Sequence, residues 1–144
     1  MNNNTNNNNT APSGPSGTDF GPVIYQYTRS QAIADGFQIE VTKTAAEAGI
    51  RFPVFITRGV YEQCVAVPPG VTAQDEAGRL WDVVWMLRFE IIRSQPGTSR
   101  LTVALYVRNS NSHPPRLTKL IATAGAVDID DPAPAITVLL PDED

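Results

Sequence analysis

The sequence of 144 residues has very little metal-binding or redox chemistry: it contains one cysteine, Cys64, and one histidine, His113. A single cysteine excludes a disulfide within the chain, and one Cys with one His cannot supply the usual zinc ligands. The loop around Asp75 and Glu76 lacks the spacing of a calcium site and the glycines of a phosphate cradle. We therefore expect no metal and no cofactor.

Lysine and long apolar runs are also scarce. Lysine occurs twice among the 11 basic residues, and the net charge is −4. Phosphate contacts need clustered Lys and Arg, so we expect no direct nucleic-acid binding. No stretch approaches the ~18 apolar residues of a membrane span, and no secretory signal is visible. These absences predict a cytoplasmic protein that does not enter the membrane, and they do not indicate its oligomeric state.

The first 19 residues, MNNNTNNNNTAPSGPSGTD, are polar and of low complexity. Such a segment buries too little apolar surface to offset the entropy of ordering it. We predict a disordered leader over residues 1–19 and a single domain over residues 20–144.

Short apolar segments that are punctuated by glycine and proline fill the first half of the domain. Ser30 with Gly36, and Thr42 or Thr44 with Gly49, mark two short helices, and Thr57 begins a third. Pro53 predicts an edge position for its strand. The expected elements are an extended piece in IYQYT, helices in SQAIADG, TKTAAEAG and TRGVYEQCV, and strands in FQIEV and RFPVFIT.

The second half carries a different, alternating pattern. In RLTVALYVR the apolar residues Leu101, Val103, Leu105 and Val107 share one face, which is typical of a strand. RLTKLIATA and AITVLL predict two more strands, with GAVDIDDPAP as an acidic loop between them. These segments favour an antiparallel meander.

The run RLWDVVWMLRFEIIR, from Arg79 to Arg93, fits two structures. A helix would place Leu80, Val84, Leu87 and Ile91 in one stripe and Trp81, Trp85, Phe89 and Ile92 in a second, with Arg88 between the two. A strand would place every odd position from Trp81 to Ile91 on one apolar face, and its composition and the following SQPGTS turn favour this alternative. We predict a central strand with both tryptophans in the core, so that Trp85→Ala costs roughly 3 to 5 kcal/mol.

Two groups of charged residues are candidates for binding a partner. On the predicted strand, Asp82, Arg88 and Glu90 lie on the face opposite the tryptophans. The acidic residues at the end of the sequence are the second group, and they are suited to a basic partner. They are Asp142, Glu143 and Asp144.

No coherent catalytic set is present. His113 lies in a proline-flanked loop, and the position of Cys64 one turn after Val60 indicates a small buried hydrophobe. An enzyme alternative comes from Tyr25, Tyr27 and Arg29 before SQAIADG, because this stretch is similar to the entry motif of ADP-ribosyltransferase-like folds. Convergence of these residues with Glu62 or Asp75 would strengthen it. A third alternative is an acidic mimic of nucleic acid.

Several blocks together resemble a family of uncharacterised bacterial proteins, a domain of unknown function carried on plasmids, integrative conjugative elements and phages. The blocks are YTRSQAIADG, AGIRFPVFIT, QDEAGRLWDVVWMLRF, LYVRN and AITVLLPDED, and the resemblance covers residues 24–144. It implies cargo of a mobile element and brings neither an activity nor catalytic residues.

The expected fold is therefore α+β, with short N-terminal helices packed on a mainly antiparallel sheet. The expected function is non-enzymatic: an accessory protein of a mobile element that binds an unknown protein partner, with inhibition of host machinery as one form of this role.

Overall fold

The computed structural model describes residues 27–144, so the predicted leader and positions 24–26 of the IYQYT segment lie outside the described residues. The fold is α+β, as the sequence predicts: short helices accompany a five-stranded mixed sheet that is mostly antiparallel. The elements are α1 Arg29–Ala34, β1 Gln38–Glu40, α2 Thr42–Glu47, β2 Val54–Thr57, α3 Arg58–Val60 with a π-helical turn Tyr61–Val65, α4 Glu76–Arg93, β3 Arg100–Val107, β4 Arg116–Asp128, β5 Asp131–Leu139 and a 3-10 turn Pro141–Glu143.

The strands lie side by side in the order β1-β2-β5-β4-β3. The predicted meander is confirmed for β3, β4 and β5, which pair antiparallel in sequence. The predicted acidic loop is wrong, because β4 and β5 extend through it and leave only a short turn at Ile129 and Asp130. The residues of this stretch that are typical of turns, such as Pro134, are accommodated at the exposed end of the hairpin, next to an irregular register between Ala126 and Asp128.

The β2 strand does not lie at an edge, as Pro53 suggested. It pairs antiparallel with β1 and parallel with β5. Pro53 precedes the strand, so its missing N–H interrupts no ladder, and its carbonyl accepts a hydrogen bond of 2.9 Å from Ile136 N. The parallel pair joins the first half of the sequence to its last strand.

The three short helices form where the sequence predicts them. The N-cap of α1 is Thr28 and not Ser30: the Thr28 side chain accepts from Gln31 N, and the Gln31 side chain accepts from Thr28 N. Gly36 and Gly49 follow α1 and α2 with φ of 79° and 97°, a backbone conformation that glycine adopts without strain.

The predicted strand from Arg79 to Arg93 is wrong, because this segment is the helix α4. Asp75 caps its first turn by accepting a hydrogen bond of 2.6 Å from Gly78 N. Val83, Val84 and Leu87 are fully buried on one side of the helix. The apolar pattern of the run fits either period, but its 15 residues are far more than the roughly six of a typical strand.

The hydrophobic core lies between the helices and one face of the sheet. Val54 and Ile56 of β2 belong to it together with Val103 of β3 and Leu87 of α4. Phe55 alternates with its neighbours and points to the opposite face, where the guanidinium of Arg29 covers its ring at 4.1 Å. Neither tryptophan belongs to the buried core, so their predicted central role in it is wrong.

Candidate protein-binding face of α4

Four large apolar side chains project from α4 on the side opposite its buried residues. At about 100° per residue their spacing confines them to an arc of about 80°. We call this set the α4 outer face. Its members and their exposed fractions are Trp81 38%, Trp85 44%, Phe89 46% and Ile92 64%.

The rings of the outer face are held in defined positions. Trp81 and Trp85 stack with centroids 5.7 Å apart and an interplanar angle of 19°. The Arg88 guanidinium lies 5.0 Å from the Trp85 ring, and that of Arg93 lies 5.1 Å from the Phe89 ring. Stacking and cation–π contacts restrict the side chains before any partner arrives, which lowers the entropy lost on binding.

Two of the three charged residues that the sequence singled out in this segment, Asp82 and Arg88, border the outer face. Asp82 and Arg93 lie on one flank, because a separation of 11 positions makes about three helical turns. Arg88 lies on the other flank, and its Nε is 3.1 Å from the position a Cβ would take at Gly49. Glu90 forms an exposed salt bridge of 3.2 Å with Arg93. The helix thus brings Asp82 and Arg88 next to the aromatic side chains, whereas the predicted strand would have placed them on the opposite face.

The acidic residues at the end of the sequence are largely bound within the molecule. Asp144 forms an ion pair with Arg100, and this hydrogen bond lowers the pKa of the Asp144 carboxyl. Glu143 accepts hydrogen bonds from Thr57 Oγ1 at 2.7 Å and from Leu140 N at 2.8 Å. Asp142 is exposed. Two of the three acids therefore have intramolecular partners, which weakens the case for an acidic surface that a basic partner binds.

The enzyme alternative depended on Tyr25, Tyr27 and Arg29. Tyr25 lies outside the described residues, and Arg29 donates to the Val127 carbonyl, Gln38 Oε1 and Thr137 Oγ1. Burial lowers the pKa of this guanidinium. A cavity of about 350 Å³ lies beside Tyr27 and Arg29, and its described lining contains neither Glu62 nor Asp75. Within residues 27–144, neither carboxylate therefore lines this cavity with Tyr27 and Arg29.

A second cavity, of about 210 Å³, separates the end of α4 from the sheet. Leu87, Ile91 and Leu101 line it, together with Phe52 at its mouth. None of the residues that line it is ionisable. The cavity therefore offers no general acid or base.

Arg79 is a structural residue that sequence reasoning missed. Its side chain is buried and donates to the carbonyls of Cys64 at 3.1 Å, Gln63 at 3.3 Å and Arg108 at 2.9 Å. It also donates to the side chains of Gln74 and Asn109. These bonds tie the start of α4 to the π-helical turn and to the loop after β3. Most of the acceptors are main-chain oxygens, which every residue carries, so the sequence gives no signal of them.

Cys64 and His113 occupy the environments that the sequence predicts. Cys64 is buried, and desolvation raises the pKa of its thiol to about 11. His113 is exposed, with its Nδ1 3.1 Å from Ser110 Oγ. Within residues 27–144 no group of three or more His, Cys, Asp or Glu side chains is placed to hold a metal ion. No helix in the described part of the chain is long and apolar enough to cross a membrane.

No protein-family model, no curated protein and no solved structure shows significant similarity to the chain. The candidate site is therefore defined by geometry alone. It is the row of ordered, exposed aromatic side chains on α4, the longest helix of the described α+β domain.

Proposed function

We propose that this protein is a non-enzymatic protein-binding module and that the α4 outer face is its binding surface. One observation carries the proposal: Trp81, Trp85, Phe89 and Ile92 are exposed in line along a single helix. Exposed apolar groups that stand singly are ordinary, whereas a contiguous patch on a folded domain is typical of an interaction site. Covering these side chains removes apolar area from water, which favours association.

The chemistry of the outer face matches that of protein interfaces. Tryptophan and arginine are the residues most enriched among those that dominate binding energy, and the face combines two of each. Spacings of four, four and three residues also match the anchors with which an amphipathic helix contacts a partner. The surface thus supports recognition through a helix face and offers no set of groups for catalysis.

The setting of this binding is also part of the proposal. The resemblance to proteins carried on plasmids, conjugative elements and phages supports an accessory protein of a mobile element that acts in the bacterial cytoplasm. Binding host machinery, in the form of inhibition, is the role that fits such cargo.

Site-specific photo-crosslinking in living bacterial cells tests the binding surface. A photoreactive amino acid replaces Ile92 on the outer face, and a second variant carries it at Ile129. The two isoleucines are a matched pair, because each is 64% exposed, but Ile129 lies at the tip of the β4–β5 hairpin. We expect a discrete covalent adduct with protein from position 92 and none from position 129, read by mass spectrometry.

A competition step shows whether the adduct depends on the outer face. Excess unlabelled chain is expected to abolish the adduct, whereas the variant Trp85→Gln with Phe89→Gln is expected to compete poorly. The control competitor carries Tyr106→Gln and Leu117→Gln, which remove an exposed apolar pair from facing positions of β3 and β4. Equal crosslinking from positions 92 and 129, or equal competition by the two double variants, contradicts the proposed function.

A further inference from the structure

We propose that the α4 outer face binds a second copy of this chain, with the two α4 helices packed antiparallel across a two-fold axis. This inference rests on the proposed function, because it names the partner of the same face. The two helices complement each other in their apolar residues and in their charges, and one register of the helix pair satisfies both. Both use only residues of α4, which the structure describes throughout.

The apolar residues of the outer face complement themselves. In an antiparallel pair centred between Trp85 and Phe89, each Trp85 packs against the partner's Phe89. The same register places Trp81 near the partner's Ile92, so the two ends of the face are also filled. A two-fold axis requires that one patch be complementary to itself, and a row of apolar residues that is roughly balanced about its centre meets this requirement.

The charged residues along one flank of α4 also complement each other in an antiparallel pair. Asp82 lies near the first half of α4 and Arg93 at its end, on the same flank. In an antiparallel pair like flanks meet, so Asp82 faces the partner's Arg93, and the reciprocal pair forms at the other end. In the register that pairs Trp85 with the partner's Phe89, Asp82 lies opposite the partner's Arg93 to within about one residue. Antiparallel helix dipoles add a further favourable term.

Arg88 supplies the discriminating feature of this arrangement. It lies on the opposite flank, close to the centre of the register, and therefore approaches the partner's Arg88. The contact is between like charges, so it opposes association. Arg88 packs over the Trp85 ring and lies beside Gly49, so its guanidinium stays at the edge of the surface that the second copy covers, where its charge opposes association. If the partner is a second copy, removing the charge of Arg88 is therefore expected to strengthen association.

Self-association is measured on the full chain by sedimentation equilibrium and by tryptophan fluorescence. The chain has only two tryptophans, and both lie on the outer face, so their emission reports its burial directly. One face of a helix of 18 residues gives an interface at the small end of the stable range, so we expect a micromolar Kd. Emission is expected to shift to shorter wavelength as the concentration rises from about 1 to about 300 µM.

Charge variants test the register. Asp82→Arg and Arg93→Asp each place like charges in the two reciprocal pairs and are expected to raise Kd by about tenfold or more. The double variant with both changes restores opposite charges and is expected to return Kd to within about threefold of the parent value. Arg88→Gln is expected to lower Kd. Circular dichroism and the thermal midpoint confirm that each variant is folded.

The outcomes separate this inference from the proposed function. A chain that stays monomeric at the highest concentration, or a double variant no better than its singles, overturns the second-copy proposal. If position 92 then crosslinks to a different protein, the proposed function stands without it. Conversely, an Arg88→Gln variant that weakens association indicates a partner that uses this arginine as an attractive contact, and this too overturns the proposal.

Discussion

Cys64 is a buried residue of the π-helical turn, and this burial determines the chemistry of its thiol. Its pKa is raised to about 11, so at neutral pH it is a protonated, inaccessible thiol. The unfolded chain ionises its cysteine at lower pH, near the ordinary value of about 8.5. Burial therefore contributes stability that is fully present below about pH 8.5 and is lost as the pH rises toward 11.

The first prediction concerns this thiol. A disulfide exchange reagent at pH 8 is expected to modify Cys64 only as fast as the protein unfolds, with full modification in denaturant. In a pH series the free energy of unfolding of the parent chain is expected to fall more steeply between pH 8 and pH 11 than that of Cys64→Ala, since only the parent loses this contribution. Rapid native-state modification would show that the thiol is accessible.

The second prediction concerns the buried guanidinium of Arg79. Arg79→Met keeps an unbranched chain but removes the hydrogen bonds to the carbonyls of Cys64, Gln63 and Arg108. The Cys64 carbonyl loses its side-chain donor, whereas the other two carbonyls each keep one from a neighbouring amide side chain. We expect a loss of about 3 kcal/mol in the free energy of unfolding, because several hydrogen bonds of a buried donor are lost together and each contributes roughly 1 kcal/mol. The free energy of unfolding of Arg79→Lys is expected to lie between those of the parent chain and Arg79→Met, because an ammonium also donates hydrogen bonds but lacks the planar fork of the guanidinium.

Arg51→Met is the matched control for Arg79, because Arg51 is exposed in the loop after α2. It is expected to change stability by less than about 0.5 kcal/mol in the same urea titration. A similar effect of the two substitutions would show that the Arg79 hydrogen bonds contribute little.

At the scale of the element, α4 shows how one pattern supports two structures. The odd positions from Trp81 to Ile91 are apolar, and so are positions spaced by three and four, because the segment is apolar on nearly all sides. Alternation therefore could not decide between strand and helix. The usable signals were the Asp75 cap and the length of the run, which at 15 residues exceeds a typical strand of about six. The two helical stripes were visible in the sequence, but which of them faces solvent depends on the packing.

The third prediction compares the two sides of α4. Leu87→Ala empties a fully buried position and is expected to cost about 2 to 5 kcal/mol. Trp85→Ala is expected to cost about 1 kcal/mol or less, since its ring is 44% exposed and the core does not depend on it. Urea titrations of both variants measure this difference. A larger loss from Trp85→Ala than from Leu87→Ala would mean that the outer face is buried in the native state.

At the scale of the whole molecule, the sequence predicted what local patterns encode and missed what long-range pairing decides. Alternation in β3 and the glycines after α1 and α2 led to the correct fold class, and the antiparallel β3–β4–β5 meander was confirmed. The parallel pairing of β2 with β5 joins residues about 80 positions apart, and no local signal marks it. The candidate residues Asp82, Arg88 and Glu90 were predicted on one face of a strand, whereas on α4 they point in different directions, and the aromatic face beside Asp82 and Arg88 was assigned to the core.

The position of β5 has a consequence for how the protein is made. This strand is the last of the five in the sequence, yet it lies in the middle of the sheet, between β2 and β4. β1 and β2 are synthesised before the strand that joins them to the rest of the sheet, and their ladder of three residue pairs is too small to be stable alone. We therefore expect β1 and β2 to join the sheet in a late step of folding, after the β4–β5 hairpin has been made.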